Sequence, residues 1–158
     1  MTWTTRQQSD FAGLSAIAVG SGPLILMIHG VGLRSEAWNA QIDALSTRFR
    51  VIAVNMPGHG ESACSEGLNS LSDYTNAIAA GLETQAIVIG HSMGAMIALD
   101  MAIRFPHLVR GVVALNAIFE RSPAAAKAVK ARAASLDGVL IADPSGPLER
   151  WFGDASTP

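Results

Sequence analysis

The sequence has few of the features that mark secreted, membrane-embedded or metal-binding proteins. It contains one cysteine, Cys64, which excludes an internal disulfide, and its first residues lack the apolar core of a signal peptide. The longest apolar runs, such as Leu24 to Ile28, are far too short to span a bilayer. Cys64 is distant in sequence from any cluster with metal-ligand spacing. We therefore expect a soluble cytoplasmic protein with no metal, no cofactor and no membrane contact.

The sequence also has no large excess of positive or of negative charge. The 11 Lys and Arg residues nearly balance the 13 Asp and Glu residues, and no basic stripe is available to collect phosphates, which argues against nucleic-acid binding. What the sequence has is apolar content: 49% of its 158 residues are hydrophobic, enough for one compact domain with a sizeable core.

Apolar runs rich in β-formers alternate with segments of helical periodicity. The later runs are apolar without interruption, as in parallel strands covered by helices on both faces. We therefore predict an α/β fold with a mostly parallel sheet flanked by helices. The predicted strands are 14–19, 24–28, 51–54, 86–89 and 112–115.

Serines with capping potential indicate where the helices begin. Ser35 is a candidate N-cap, and Ser70 with Asp73 resembles a capping box. One helix is apolar nearly all round and ends before Pro106, as expected of a central helix packed on the sheet. The predicted helices are 36–46, 74–82 and 93–105.

The composition changes after the last predicted strand. Ser122 and Pro123 suit the start of an alanine-rich helix that ends near Leu136, and a turn cluster follows at 143–147. This segment breaks the βαβ rhythm. We assign residues 1–121 to the core and residues 122–158 to a separate segment.

The most specific motif is Gly90-His91-Ser92-Met93-Gly94, at the turn from a strand into the central helix. Gly-x-Ser-x-Gly in this context predicts a nucleophile elbow, a strained turn that exposes the serine hydroxyl. Ser92 is the predicted nucleophile. The backbone amide of Met93, at a helix N-terminus, points toward developing negative charge.

Two further segments follow strand ends. His29-Gly30-Val31-Gly32 offers flexible backbone amides, and that of Val31 is the best candidate to complete an oxyanion hole with Met93. The segment 55–62, Asn-Met-Pro-Gly-His-Gly-Glu-Ser, forms a rigid turn with a structural role.

Together, in this order and spacing, the three segments over roughly residues 10–120 resemble the α/β-hydrolase fold family. The resemblance implies an N-terminal portion of that fold, with an incomplete core and, from Ser122 onward, the start of a helical cap. It implies Ser92 as nucleophile, Val31 and Met93 as oxyanion donors, and a supporting role for His29, Gly30, Gly32, Gly90, His91 and Gly94. Asn55 departs from the pattern, because the family usually has Asp there.

The catalytic base is the missing part. In the family's order the acid and the histidine follow the serine, which leaves only His107. If the intervening stretch is helical, His107 lies about 22 Å away, out of reach. A substitute role for His29, His59 or His91 stays open. We expect the chain to be the N-terminal portion of a longer hydrolase, inactive alone and prone to self-association through an unpaired sheet edge.

Three functions follow from these observations. The first is a serine hydrolase acting on a small apolar carboxylic ester, thioester or lactone. The second is a non-catalytic binding domain that keeps the pocket without the triad. The third is a nucleotide-binding oxidoreductase, because residues 30–35 approximate Gly-x-Gly-x-x-Gly, although Ser35 replaces the third glycine and Asn55 stands where an acidic residue should hold the ribose.

The side chains that would contact a substrate are ambiguous from sequence. Apolar residues near the motifs either line an acyl pocket or belong to the core. The candidates are Leu33, Trp38, Met93, Phe119 and Trp151.

Overall fold

The computed structural model describes residues 6–64 and 67–134, together with the single positions 145, 146, 149 and 153. The turn cluster at 143–147, the end of the alanine-rich helix and Trp151 lie wholly or mostly outside the described residues. The chain divides into two compact units, residues 1–118 and residues 119–158.

The first unit is built on a sheet of six strands in the order β1-β2-β4-β3-β5-β6. Strands β3 to β6 run parallel to one another, and β1 and β2 add an antiparallel edge. The α/β class and the mostly parallel sheet are thereby confirmed. The strands are β1 (Ser9–Phe11), β2 (Leu14–Val19), β3 (Leu24–Ile28), β4 (Arg50–Val54), β5 (Ala86–His91) and β6 (Val109–Leu115).

Helices cover both faces of the sheet. A 3-10 turn (Ser35–Trp38) and α1 (Asn39–Leu45) lie on one face, and α2 (Leu71–Ala79) and α3 (Met93–Arg104) lie on the other. Because successive residues of a strand face opposite sides, β3 sends Ile25 and Met27 into one core cluster and Leu26 and Ile28 into the other. This double burial explains the uninterrupted apolar run of β3.

Of the helix caps predicted at Ser70 and Ser35, the first is confirmed and the second is wrong. The capping box is confirmed: Ser70 Oγ accepts the Asp73 N–H, and the Asp73 carboxylate accepts the Ser70 N–H. Helix α2 therefore begins directly after Ser70 rather than at Tyr74. The predicted cap at Ser35 is wrong, because Ser35 lies inside the 3-10 turn and its N–H donates to the Asn55 side chain.

The second unit is described mainly by α4 (Pro123–Ala134). Ser122 is its N-cap, as predicted, with Oγ accepting the Ala125 N–H at 3.3 Å. No side chain of α4 is buried. The assignment of residues 122–158 to a cap stays a prediction. No helix in the described part of the chain combines the length and apolar character that crossing a bilayer requires.

Candidate active site

The turn between β5 and α3 holds Ser92 in a strained backbone conformation. Its φ is +56° and its ψ is −115°, a region that side-chain-bearing residues rarely occupy. The Ser92 N–H donates to Leu115 O of β6 at 2.9 Å, and the Ser92 carbonyl accepts the N–H groups of Ala95 and Met96 in the first turn of α3. Ser92 is half-buried, so it is not enclosed in the core.

Glycines flank this turn because the backbone packs too tightly for side chains. A Cβ on Gly90 would lie 2.1 Å from Gly94 O, and a Cβ on Gly94 would lie 2.2 Å from Ile28 O. Both contacts are with backbone atoms that cannot move aside. The motif glycines therefore let α3 start directly against the end of β3, which fixes the position of Ser92.

The loop after β3 lies beside Ser92. A Cβ on Gly30 would lie 3.1 Å from both Ser92 Cβ and His91 Nδ1, so this buried glycine is in close contact with the elbow. Val31 follows it and is 59% exposed. The Val31 and Met93 amides donate no hydrogen bond to the protein in the described residues. Met93 is also the first residue of α3, where helix dipoles favour negative charge.

His29 is buried and bridges two strand ends. Its Nε2 accepts the Met56 N–H at 3.1 Å, and its Nδ1 donates to Gly30 O at 2.8 Å, so the ring is neutral. Burial lowers the pKa of His29 to about 4, opposed by the hydrogen bond to Gly30 O, and the nearby His59 lowers it further. His29 thus joins the loop after β3 to the loop after β4.

The other histidines also have partners or positions away from Ser92. His59 Nδ1 donates to Pro57 O at 3.1 Å, and its ring centroid lies 5.1 Å from that of His29. His91 Nε2 lies 3.1 Å from Asn116 Nδ2. His107 is exposed beyond the far end of α3. All four histidines fall within the described residues, and none of them hydrogen-bonds to Ser92.

No group of three His, Cys, Asp or Glu side chains in the described residues is placed to hold a metal ion.

Asn55 is buried at the end of β4, and its side chain contacts three other segments of the chain. Its Oδ1 accepts the Ser35 N–H at 2.7 Å, and its Nδ2 lies 3.3 Å from both Gln8 Oε1 and Ser15 Oγ. Ser62 Oγ donates to the Asn55 carbonyl at 2.8 Å and accepts the Ser15 N–H at 2.9 Å. Because the Ser35 amide is already paired, this end of the segment 30–35 does not present an N–H group to a phosphate.

The apolar candidates for a substrate pocket have different surroundings. Trp38 is core: it packs with Ile42 and residues of β2, β3 and β4, and its indole N–H has no partner in the described residues. Leu33 and Met93 are partly buried, and Phe119 is 98% exposed. Two clefts of about 340 and 290 Å³ lie at the amino ends of the parallel strands, the sheet edge opposite Ser92.

The motifs predicted no role for two residues, Gln8 and Asn116. Gln8 lies outside every motif, and its contact with Asn55 arises only because β1 pairs with β2 and β2 pairs with β4. Asn116 does carry a local signal, because an asparagine directly after a strand suits a left-handed turn, and its φ is +52°.

Comparison with known proteins gives a consistent result. A model of the alpha/beta hydrolase family matches residues 25–157. (E)-2-((N-methylformamido)methylene)succinate hydrolase of Acinetobacter baylyi is 37% identical over 140 residues, which are 86% of this chain and 53% of that protein. Pimeloyl-[acyl-carrier protein] methyl ester esterase of Nitrosomonas europaea is 36% identical over 103 residues, 65% of this chain and 40% of the esterase.

Solved structures show the same likeness. A hydrolase from Pseudomonas aeruginosa superimposes with a TM-score of 0.74 at 25% identity, covering 89% of this chain and 54% of its own. E-2-(Acetamidomethylene)succinate hydrolase superimposes with a TM-score of 0.73 at 34% identity, covering 81% and 50%. The chain therefore spans about half the length of these two structures and of the Acinetobacter relative.

Proposed function

This chain belongs to the alpha/beta hydrolase family, and from that premise we propose that Ser92 is the nucleophile of a serine hydrolase acting on a carboxylic ester, thioester or lactone. The observation that carries the proposal is the strained backbone of Ser92, with φ +56°, between a parallel strand and a helix N-terminus. Such strain persists only where the surrounding structure imposes it, and it is typical of reactive serines.

The proposed chemistry is acyl transfer. Ser92 Oγ attacks the substrate carbonyl carbon while its proton passes to a base, and the carbonyl oxygen becomes an oxyanion. The amides of Val31 and Met93 are proposed to donate to that oxyanion. Collapse of the tetrahedral intermediate breaks the bond to the leaving oxygen or sulfur, which takes the proton from the base, and leaves an acyl-enzyme. The same base then deprotonates a water molecule that attacks the acyl carbon, and the proton returns to Ser92 Oγ as the acid is released.

The base and the carboxylate that orients it are proposed to come from outside these 158 residues. A serine hydroxyl is a weak nucleophile without a neighbouring imidazole, and no histidine of this chain hydrogen-bonds to Ser92. The chain alone is therefore expected to lack hydrolytic turnover while keeping the nucleophile and the oxyanion donors in place.

The range of relatives suggests which substrates to assay. Two similar proteins are named as hydrolases of amide-bearing succinates and another as a methyl ester esterase. Esters are the first choice because an alkoxide leaving group needs less assistance from an acid than the amine of an amide does. Amide-bearing succinates are the second choice. We also propose a cytoplasmic location and no nucleic-acid or membrane partner, on the single cysteine and the balanced charge.

Covalent labelling of Ser92 tests the proposal. The chain is incubated with a fluorophosphonate, with and without added imidazole, and the modified residue is identified by mass spectrometry. We expect slow labelling of Ser92 that imidazole accelerates, because the added base replaces the missing one. Ser92→Ala should abolish labelling, and Ser21→Ala, which removes an exposed loop serine, should leave it unchanged.

A non-catalytic binding domain is the second candidate function, and the absence of a histidine on Ser92 favours it. The two functions differ in the labelling experiment. If Ser92 reacts no faster than Ser21 even with imidazole present, the hydroxyl is not activated by its surroundings, and the binding domain becomes the better interpretation.

A further inference from the structure

Two hydrogen bonds join the Ser92 elbow to the end of β6. The Ser92 N–H donates to Leu115 O at 2.9 Å, and the Asn116 side-chain amide lies 3.1 Å from His91 Nε2. The first involves only backbone atoms, which any sequence could supply. The second needs a histidine directly before Ser92 and an asparagine directly after Leu115. It is therefore the hydrogen bond that depends on the side chains at these positions.

The backbone of Asn116 is adapted to this position. Among the described residues, only Ala12, Ser92 and Asn116 have positive φ without being glycine. Asparagine tolerates the left-handed region better than most residues. Two of these three positions, Ser92 and Asn116, therefore lie on the two sides of the junction between the ends of β5 and β6. Asn116 supplies both the left-handed turn and the amide that faces His91.

The placement of Asn116 Nδ2 against Nε2 favours one tautomer of His91. An Asn116 N–H group that donates to Nε2 needs a lone pair there, which places the imidazole proton on Nδ1. Nδ1 faces Gly30, where an added Cβ would lie 3.1 Å from it. The ring is therefore held between the end of β6 and the loop that carries Val31. Its Nε2, being occupied, is not available as a base for Ser92.

We propose that Asn116 is a positioning residue for the elbow: through His91 it holds the backbone beside Ser92 between β6 and the Gly30 loop. Its importance for catalysis rests on the proposed function, because it matters only if Ser92 reacts. The tautomer and the backbone restraint belong to the fold and can be measured without turnover.

Nitrogen-15 NMR of the histidine rings tests the tautomer. The His91 signals are assigned by their loss in His91→Gln. We expect the Nδ1–H tautomer in the wild-type chain, a shift toward Nε2–H in Asn116→Gly, and a full switch to Nε2–H in Asn116→Asp, whose carboxylate accepts rather than donates. Nε2–H in the wild-type chain, or no change in either variant, would overturn the proposal.

Amide exchange at Ser92 tests the restraint. Asn116→Gly removes the amide without straining the backbone, and we expect protection of the Ser92 N–H to fall about fivefold, the equivalent of one net hydrogen bond. Ala12→Gly is the matched control, since it relaxes another left-handed residue far along the sheet and should leave Ser92 unchanged. Equal protection in Asn116→Gly and wild type would show that the backbone bond alone holds the elbow.

These measurements are independent of the labelling of Ser92. An unreactive Ser92 with the expected tautomer and exchange results would contradict the proposed function and leave the positioning role intact. A reactive Ser92, with the same tautomer and exchange results in the variants as in the wild-type chain, would support the proposed function and contradict the positioning role.

Discussion

Asn55 shows how one buried side chain can determine the form of a motif. It stands where the family usually has Asp, and its amide uses both polar ends: Oδ1 accepts the Ser35 N–H, and Nδ2 lies near Gln8 Oε1 and Ser15 Oγ. A carboxylate could keep the first contact. It would have no N–H group to donate, and its second oxygen would lie against Gln8 Oε1, which is also an acceptor.

Asn55→Asp should therefore destabilise the chain by about 1–3 kcal/mol at pH 7, the usual effect of leaving a buried polar group without its partner. Urea denaturation measures the change. Gln8→Ala combined with Asn55→Asp is the control, because removing the opposing carbonyl should reduce the additional loss caused by the carboxylate. An Asn55→Asp chain as stable as wild type would show that the loop accepts the charge.

His29 should make stability depend on pH. The folded chain holds it neutral down to a pKa of about 4, whereas the unfolded chain takes up a proton near the ordinary value of 6.5. The unfolded state therefore binds more protons between these values, and the free energy of unfolding should fall as the pH drops from 6.5 to 4. The loss approaches roughly 3 kcal/mol for a shift of this size.

Denaturation at a series of pH values, on wild type and His29→Gln, measures this effect. The variant lacks the titrating ring, so its stability should change less between pH 6.5 and 4. Asp73→Asn is the control: hydrogen bonds from Ser70 lower the pKa of Asp73 below 3.8, so its contribution is lost only at lower pH. Parallel curves for wild type and His29→Gln would contradict the prediction.

At the scale of elements, the junction of β3, β5 and α3 leaves no space for a methyl group. Gly94→Ala would place its Cβ 2.2 Å from Ile28 O, so the helix would have to move away from the strand. We expect a loss of at least about 3 kcal/mol or failure to fold. Thermal and urea denaturation measure it.

Gly111→Ala is the matched control for that substitution. Gly111 lies in β6, does not have a positive φ, and a Cβ added to it would meet no atom within 4 Å. Because glycine in a strand is less stable than alanine by roughly 0.5–1 kcal/mol, this variant should be neutral or slightly more stable. Similar losses in both variants would show that the packing at Gly94 is not special.

At the scale of the whole molecule, β6 forms an edge of the sheet in the part of the chain that the structure describes. Val113 and Leu115 of β6 are each 42% exposed, and Ile103 of the adjoining α3 is 78% exposed. An unpaired edge with apolar side chains is a template for association with another chain. We therefore expect the 158-residue chain to self-associate as its concentration rises.

Sedimentation velocity over a concentration series checks this expectation. Val113→Lys places a charge on the edge and should weaken association, because lysines on edge strands oppose pairing. Val129→Lys is the control, since Val129 is similarly exposed, at 46%, but lies in α4. A chain that stays monomeric at all concentrations, or equal effects of the two variants, would rule out the edge as the association surface.

The sequence alone determined the features whose causes are local. Strands β2 and β3 begin and end where their apolar runs do, because burial on the sheet depends on the residues themselves. The capping box at Ser70 was also predictable, since both of its partners lie within one helical turn. The glycines and serine of the elbow were recognisable because the spacing of the motif is short and fixed.

Only the tertiary structure decided the features that depend on distant partners. Pairing with β5 brings the start of β6 forward to Val109, three residues before the predicted start. Ser35 is paired with Asn55 instead of capping a helix, and Asn116 with His91 across the ends of two strands. Each of these hydrogen bonds joins residues at least 20 positions apart, and local sequence patterns carry no information about which such residues the sheet brings together.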